Sequence, residues 1–592
     1  MLKTMNLPTP SSLKQRRARL PHVCSIAALT SLLATGPLFA DVKLPAIIGD
    51  HMVLQRDISV PIWGWADAGE SITVTAGKEH ATVAAGPDGK WTVKLSTMAA
   101  SGKPIDVTIA GKNSITIHDV LVGDVWVCSG QSNMELGSGA ILSKDEIAHS
   151  NHPQIRLFTV PKWVAPAPAN DIAPVPATAP MLGHWQVCTP ETVSTDGEWA
   201  GFSAVAFLFG REIHDFTHQP VGLIETCWGG TRIHSWISLA TLETMPQKVS
   251  ATKAAANFRD HYAEIKQTYE TVTLPQWKAT LEKWTEDNKT ALEAYANDQK
   301  QWQQLAKEAA AQRKPAPPKP KGPAHPREPV DPIHNNQTSC ALFNGMVAPI
   351  VPYGIKGAIW YQGEANALEP IPYRVEVPAL INDWRKHWSQ GDFPFLLVQL
   401  PNFEQRKPEP GESPWAATRE AQGNALTLPN TGVAVTIDLG EAGNIHPPDK
   451  FDVSHRLALA AQHIAYGQTG DAGLSPRYKT YKVEGDKVRI TFDHTGGGLI
   501  IGTAPERFWL GEKHAPEPPA SALQGFAIAG ADHKFVWASA TIDGNTVVVK
   551  NDAVSNPVAV RYGWADNPAC NLYTKEGLPV SPFRTDDFPF GK

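Results

Sequence analysis

Cysteine is scarce: there are six in 592 residues, and no Cys-x-x-Cys pair occurs. That excludes a dense disulfide framework and a cysteine-ligated zinc site. Charge is also thin, at 19% Asp, Glu, Lys and Arg with a formal net charge of −6. Without an excess of lysine and arginine, the chain has no electrostatic footprint for nucleic acid. The 46 glycines and 50 prolines fall well short of the roughly 25–30% that marks low-complexity or collagen-like chains. What is present is 42% hydrophobic residues, in a length that at roughly 150 residues per domain makes about three folding units.

One long apolar run stands out, Val23 to Ala40, preceded by Lys14, Arg16, Arg17 and Arg19. The run is broken by Gly36 and Pro37, which make a poor membrane span, and it ends on the small residue Ala40 before Asp41. Residues 1–40 therefore read as a secretory signal peptide. Its removal takes away five positive charges and no acid, so the formal charge moves from −6 to −11. The exported chain is expected to be secreted or periplasmic, with no membrane insertion after cleavage and no nucleic-acid partner. Five cysteines remain (Cys128, Cys188, Cys227, Cys340 and Cys570), expected as small buried thiols.

Residues 41–120 contain alternating runs such as Ser71-Ile72-Thr73-Val74-Thr75 and Trp91-Thr92-Val93-Lys94-Leu95, separated by turn signals such as Pro87-Asp88-Gly89. They read as a small β-sandwich-like domain. The same pattern returns over 478–592, with strands at 488–492, 546–549 and 558–562, as a C-terminal β-rich domain. Between them, strands at 124–128, 221–226, 358–361, 395–399 and 433–438 alternate with helical patterns at 204–216 and 453–466. This predicts an α/β domain with a mostly parallel sheet, whose functional residues gather at the carboxyl ends of the strands.

An insertion at about 246–332 interrupts that domain. Residues 275–313 carry Trp277, Leu281, Trp284, Leu292, Tyr295, Trp302 and Leu305 at near-heptad spacing, which predicts one long helix. Its aromatic stripe is expected to pack on an antiparallel helix from 249–271. The proline-rich stretch 314–323 then serves as a polyproline-type return path.

Four constellations follow strands. Ser129-Gly130-Gln131-Ser132-Asn133-Met134 puts a serine on a tight glycine turn, where a nucleophile with a free backbone N–H is presented, or where a polar turn caps a helix. Cys227-Trp228-Gly229-Gly230-Thr231 lets the backbone approach a ligand closely, or simply turns. Gln362-Gly363-Glu364 brings an amide that donates to a developing negative charge or satisfies loop backbone. Asn444-Ile445-His446-Pro447-Pro448-Asp449-Lys450 offers a histidine suited to general-base work beside a serine, and takes that role from its company alone.

Together with Met52 to Arg56, Trp63-Gly64-Trp65, Asn571-Leu572-Tyr573 and Pro582-Phe583-Arg584, these motifs resemble the sialate O-acetylesterase family of the SGNH hydrolase superfamily. The likeness spans nearly the whole chain after residue 40. That family has bacterial relatives acting on acetylated xylan and xyloglucan. The resemblance implies a three-layer SGNH hydrolase domain over 121–477, an O-acetylated carbohydrate substrate, and no metal or organic cofactor. It implies Ser132 as nucleophile, His446 as base, and an oxyanion hole from the Ser132 N–H, Gly229 or Gly230, and Gln362. Asn133 and Glu364 are candidates for substrate contact.

One position departs from the family. SGNH enzymes carry an Asp three residues before the histidine, where this chain has Gly443, and many close relatives carry it two before, where this chain has Asn444. Asp438 is favoured as the orienting acid because a strand end is better fixed than a loop. Glu441, Glu364 and a backbone carbonyl are the alternatives. The missing Asp and the 19 tryptophans also motivate a rival reading, a non-catalytic carbohydrate-binding protein on an esterase scaffold.

Overall fold

Strand β1, Ser114–Gly130, is buried along its second half. Runs that are apolar at every position belong to strands covered on both faces. With it run β2 (His152–Thr159), β3 (Trp185–Cys188), β4 (Val221–Cys227), β5 (Gly357–Tyr361), β6 (Phe395–Val398) and β7 (Thr431–Ala434). The sheet order is β7-β6-β5-β1-β4-β2-β3. All neighbours pair in parallel except β2 and β3. A computed structural model describes residues 41–592 apart from 176–178, 180–181, 196–198, 246–247, 312–316, 472, 510–511, 515–519 and 591–592. The expected signal peptide, 1–40, lies outside the described residues.

Successive side chains point to opposite faces of the sheet. Val125, Val127, Ala358, Trp360, Phe395 and Leu397 share one core with the helix Pro370–Trp388 and with the N-terminal β strands. Trp126, Cys128, Ile359, Tyr361, Leu396 and Val398 share the other with the helices Ala204–Thr217 and Lys450–Ile464. Both of these helices start on a side-chain cap: Ser203 Oγ accepts the Ala206 N–H at 3.0 Å and Asp449 Oδ1 the Asp452 N–H at 3.1 Å. The result is a mixed α/β fold with a central mixed sheet and further β-rich sheets after residue 477.

The two β-rich ends are joined to that centre in different ways. β1 crosses residue 120 unbroken: its first part pairs antiparallel with Ser101–Ala110 and its second part pairs in parallel with β4 and β5. The C-terminal strands are tied by side chains, among them buried Arg419, which donates to the carbonyls of Ala565 and Asp566 at 2.8 Å each.

The insertion differs from the expectation. Its long helix is two, Leu274–Asp287 and Lys289–Ala311. The aromatic stripe is covered by the returning proline strand rather than by a second helix. Trp302 donates its indole N–H to the Pro317 carbonyl at 2.7 Å, Lys319 lies over the Trp302 ring, and Trp284 meets His325 edge-on. Pro317, Pro320, Pro323, Pro326 and Pro329 are half-buried while the residues between them are exposed. A three-residue period is that of a polyproline II helix, so one proline row faces the tryptophans.

Candidate active site

Register decides what meets at the sheet's carboxyl edge. Gly130 of β1 is paired with Cys227 of β4 on one side and with Tyr361 of β5 on the other, so the turns after all three strands leave at one level. A Cβ at Gly130, whose φ is +143°, would collide with the Tyr361 carbonyl oxygen, which is why the turn into Ser132 begins with glycine. Gln131 then locks the edge. Its N–H donates to Tyr361 at 3.0 Å and its side-chain oxygen accepts the Ala365 N–H at 3.2 Å. Ser132 opens the short helix Ser132–Glu135, so its own N–H has no intrahelical acceptor.

His446 arrives on the loop between β7 and the helix Lys450–Ile464. Its Nε2 lies 2.8 Å from Ser132 Oγ. The edge of Trp199 packs against the imidazole, with centroids 5.2 Å apart, and Asn444 Oδ1 accepts the His446 backbone N–H at 3.0 Å. Partial burial, and then the positive charge of Lys450, hold the imidazole pKa below its ordinary value. The ring is therefore neutral at neutral pH and ready to take a proton.

Asp438 is elsewhere. β7 ends at Ala434, so Asp438 sits in the following turn rather than at a strand end. Its two oxygens accept from Arg456 Nη1 and Nη2 at 2.6 and 2.8 Å, and one also accepts the Tyr573 hydroxyl at 3.1 Å. The carboxylate ties the helix Lys450–Ile464 and the C-terminal strands to this turn. Glu441 accepts from Asn444 at 3.1 Å and Glu364 from Asn133 at 2.5 Å. Among the described residues, no carboxylate and no backbone carbonyl bonds the His446 ring.

Two further expectations are corrected by where donors point. Gln362 is fully buried, and its amide N–H groups go inward, to the Thr231 carbonyl at 3.1 Å and Asn366 Oδ1 at 2.8 Å. It does not line the cavity beside Ser132. Asn133 is fully buried with both polar atoms of its side chain engaged, so its amide faces no substrate. Gly229 lies beside Ser132, but its N–H donates to Glu135 Oε2 at 2.5 Å. The Gly230 N–H has no protein acceptor among the described residues, and nothing stands within 4 Å of where its Cβ would be.

Ser132, His446, Gly229 and Gly230 line an open cavity of about 460 Å³ that also takes in Trp199, Trp228, Lys162 and Glu364. Glu364 keeps one buried oxygen without a hydrogen-bond partner, and burial raises its pKa. Sequence reasoning missed Glu135, Lys162 and Lys450. Glu135 was within reach, since it follows Ser132 by three residues on the same helical turn. The ion pair of Lys162 with Glu135 at 2.5 Å joins a separate loop to this short helix and left no local signal. No group of three or more His, Cys, Asp or Glu suited to a metal ion occurs among the described residues. Four of the five described cysteines are buried, Cys570 is partly so, and all are free thiols.

Comparison with known proteins sets this arrangement among the carboxylic-ester hydrolases that act on carbohydrates. A carbohydrate acetylesterase from Xanthomonas citri, known as a crystal structure, aligns with a TM-score of 0.68 at 34% identity, over 93% of this chain and 100% of that one. Sialate O-acetylesterases of Rattus norvegicus and Homo sapiens are 29% and 27% identical, each over 91% of this chain and over 94% and 92% of their own lengths. The chain belongs to the carbohydrate esterase family described as sialic acid-specific acetylesterases, whose model matches residues 122–294 and 336–463. The unmatched stretch between those segments holds most of the second arm helix and its proline cover. Nothing in these likenesses supports a non-catalytic sugar-binding protein.

Proposed function

We propose that the chain is an exported carbohydrate O-acetylesterase working through a Ser132–His446 dyad. The observation that carries this reading is the 2.8 Å bond between Ser132 Oγ and His446 Nε2 on the wall of an open cavity. His446 takes the Ser132 proton as Oγ attacks the acetyl carbonyl. The oxyanion that forms is met by the Ser132 and Gly230 N–H groups, each such donor being worth roughly 10²–10³ in rate. Collapse breaks the bond to the sugar oxygen, which takes the proton from His446, and leaves an acetyl group esterified to Ser132 Oγ. Water deprotonated by His446 then attacks the acetyl-enzyme and releases acetate. In this reading 121–477 is a three-layer SGNH hydrolase domain with its arm at 246–332, flanked by the units 41–120 and 478–592, and 1–40 is a cleaved signal peptide.

The lining bears on the substrate. Trp199 and Trp228 offer flat apolar faces for sugar rings. Lys162 is the one lysine or arginine among the described lining residues, and Glu135 neutralises it at 2.5 Å. No net positive charge is left for a sialate carboxylate, and the exported chain carries −11 in all. Both favour neutral O-acetylated glycans of the xyloglucan or xylan kind. Acetate release from O-acetylated xyloglucan, xylan and sialic acid tests the reading. Release is expected from a neutral glycan by the wild-type protein and from none by Ser132→Ala. An active Ser132→Ala protein overturns the dyad, and release from sialic acid alone overturns the substrate class.

A further inference from the structure

The dyad described above leaves His446 without an acid behind it, so something else must aim the ring. Asn133 directly follows the nucleophile, and Ile445 directly precedes the base. Asn133 Nδ2 donates to the Ile445 carbonyl at 3.0 Å, and His446 Nε2 meets Ser132 Oγ at 2.8 Å. Two hydrogen bonds and two peptide links thus close a small ring, Ser132–Asn133···Ile445–His446···Ser132. The Ser132–His446 distance is set by one amide side chain.

That amide is useful only in one orientation, because a flip would turn its oxygen toward the Ile445 carbonyl. Two charged residues fix it. Lys450 Nζ donates to Asn133 Oδ1 at 2.6 Å, and in its ammonium form it has no lone pair with which to accept. Glu364 Oε1 accepts from Nδ2 at 2.5 Å. Lys450 is fully buried with its ammonium over the Tyr361 ring, 5.1 Å from the centroid, and burying a lysine charge is strongly unfavourable. The acidic groups that face it are Glu364 and Asp449. A residue that expensive, four positions after the base, is not explained by packing.

We propose, resting on the Ser132–His446 reading, that Asn133 and Lys450 are positioning residues that hold His446 against Ser132 in place of a triad acid. Lys450 also acts on the ring by charge. Glu135, Lys162 and Glu364 line the cavity with His446, and Lys450 is the charge that depresses its pKa after burial itself. Burial pulls Lys450 down to about 7.

The test uses the full chain, p-nitrophenyl acetate and three variants. Asn133→Asp keeps the shape but turns an oxygen toward the Ile445 carbonyl and Glu364; kcat should fall roughly 10²-fold with KM little changed. Lys450→Met keeps the length but removes donor and charge; kcat should fall, and the acid limb of the pH profile should move to higher pH, which loss of packing alone would not do. Thermal melting identifies any variant that does not fold, and Asn133→Asp stands alone if Lys450→Met does not. Folded variants with wild-type kcat and an unmoved acid limb, or with losses confined to KM, overturn the inference. Ser132→Ala separates the two levels. If it is inert while Asn133→Asp and Lys450→Met are fully active, only the positioning inference fails; if it is active, the dyad itself fails.

Discussion

Asp438→Asn separates a catalytic from a structural carboxylate. Both oxygens of Asp438 are engaged, at 2.6 and 2.8 Å to Arg456 and 3.1 Å to Tyr573, and the Asp438 and Arg456 side chains are only 3% and 5% exposed. The substitution keeps the shape but removes the counter-charge of a buried guanidinium. Breaking such a pair from one side costs about 3–5 kcal/mol. Arg456 keeps its 2.7 Å bond to the Val435 carbonyl, which places the cost toward the lower end. At about 2–4 °C per kcal/mol for domains of 150–250 residues, and less for longer ones, the melting temperature should drop by several degrees. The folded variant should keep most of its kcat, because Asp438 does not touch His446. Thermal unfolding and initial rates on p-nitrophenyl acetate read the two effects separately. A triad acid would behave in the opposite way, with kcat down roughly 10⁴-fold and little change in melting. That outcome would refute the assignment of Asp438 to the fold.

Gly229→Ala should lower kcat by about tenfold or more with a small change in melting temperature. Its new Cβ would stand 3.1 Å from Glu135 Oε2 and 3.3 Å from Ser132 Cβ, pressing on the nucleophile itself. The pH profile of kcat/KM should have its acid limb below the ordinary histidine value of 6.5, since burial and Lys450 depress the His446 pKa. The base form thus persists as pH falls and is lost only on protonation below that point; a limb above 6.5 would contradict this. Trp302→Ala removes the bond to Pro317 and the face under Lys319. Trypsin should then cut the arm faster at Lys321, which precedes Gly322, while hydrolysis of a small ester stays at the wild-type rate.

The catalytic edge was legible because it depends on local pattern. Runs such as Val221–Cys227, buried at every position, announce covered parallel strands, and the residues just beyond them fall at one sheet edge whatever the loops do. Ser132, Gly229, Gly230 and His446 were singled out that way, and they line one cavity. Directions of side-chain donors were not legible. Gln362 and Asn133 stand beside the site in sequence, yet their amides turn inward to partners 131 and 312 residues away. Asp438 lost its expected role to Arg456, eighteen positions on, an ion pair that no periodicity encodes. A lysine reads as surface until its surroundings are known, so Lys450 gave no sign of burial. The proline arm was different: the three-residue spacing from Pro317 to Pro329 is plain in the sequence, and it matches the row that covers the tryptophans.

The central claim is that Ser132 carries the acyl group and His446 activates it. A serine-reactive phosphonate followed by peptide mass spectrometry asks this directly. One adduct per chain is predicted, on the peptide containing Ser132, with labelling that slows sharply in His446→Ala. An unlabelled Ser132 in a preparation that still releases acetate, or an adduct on another residue, would contradict it.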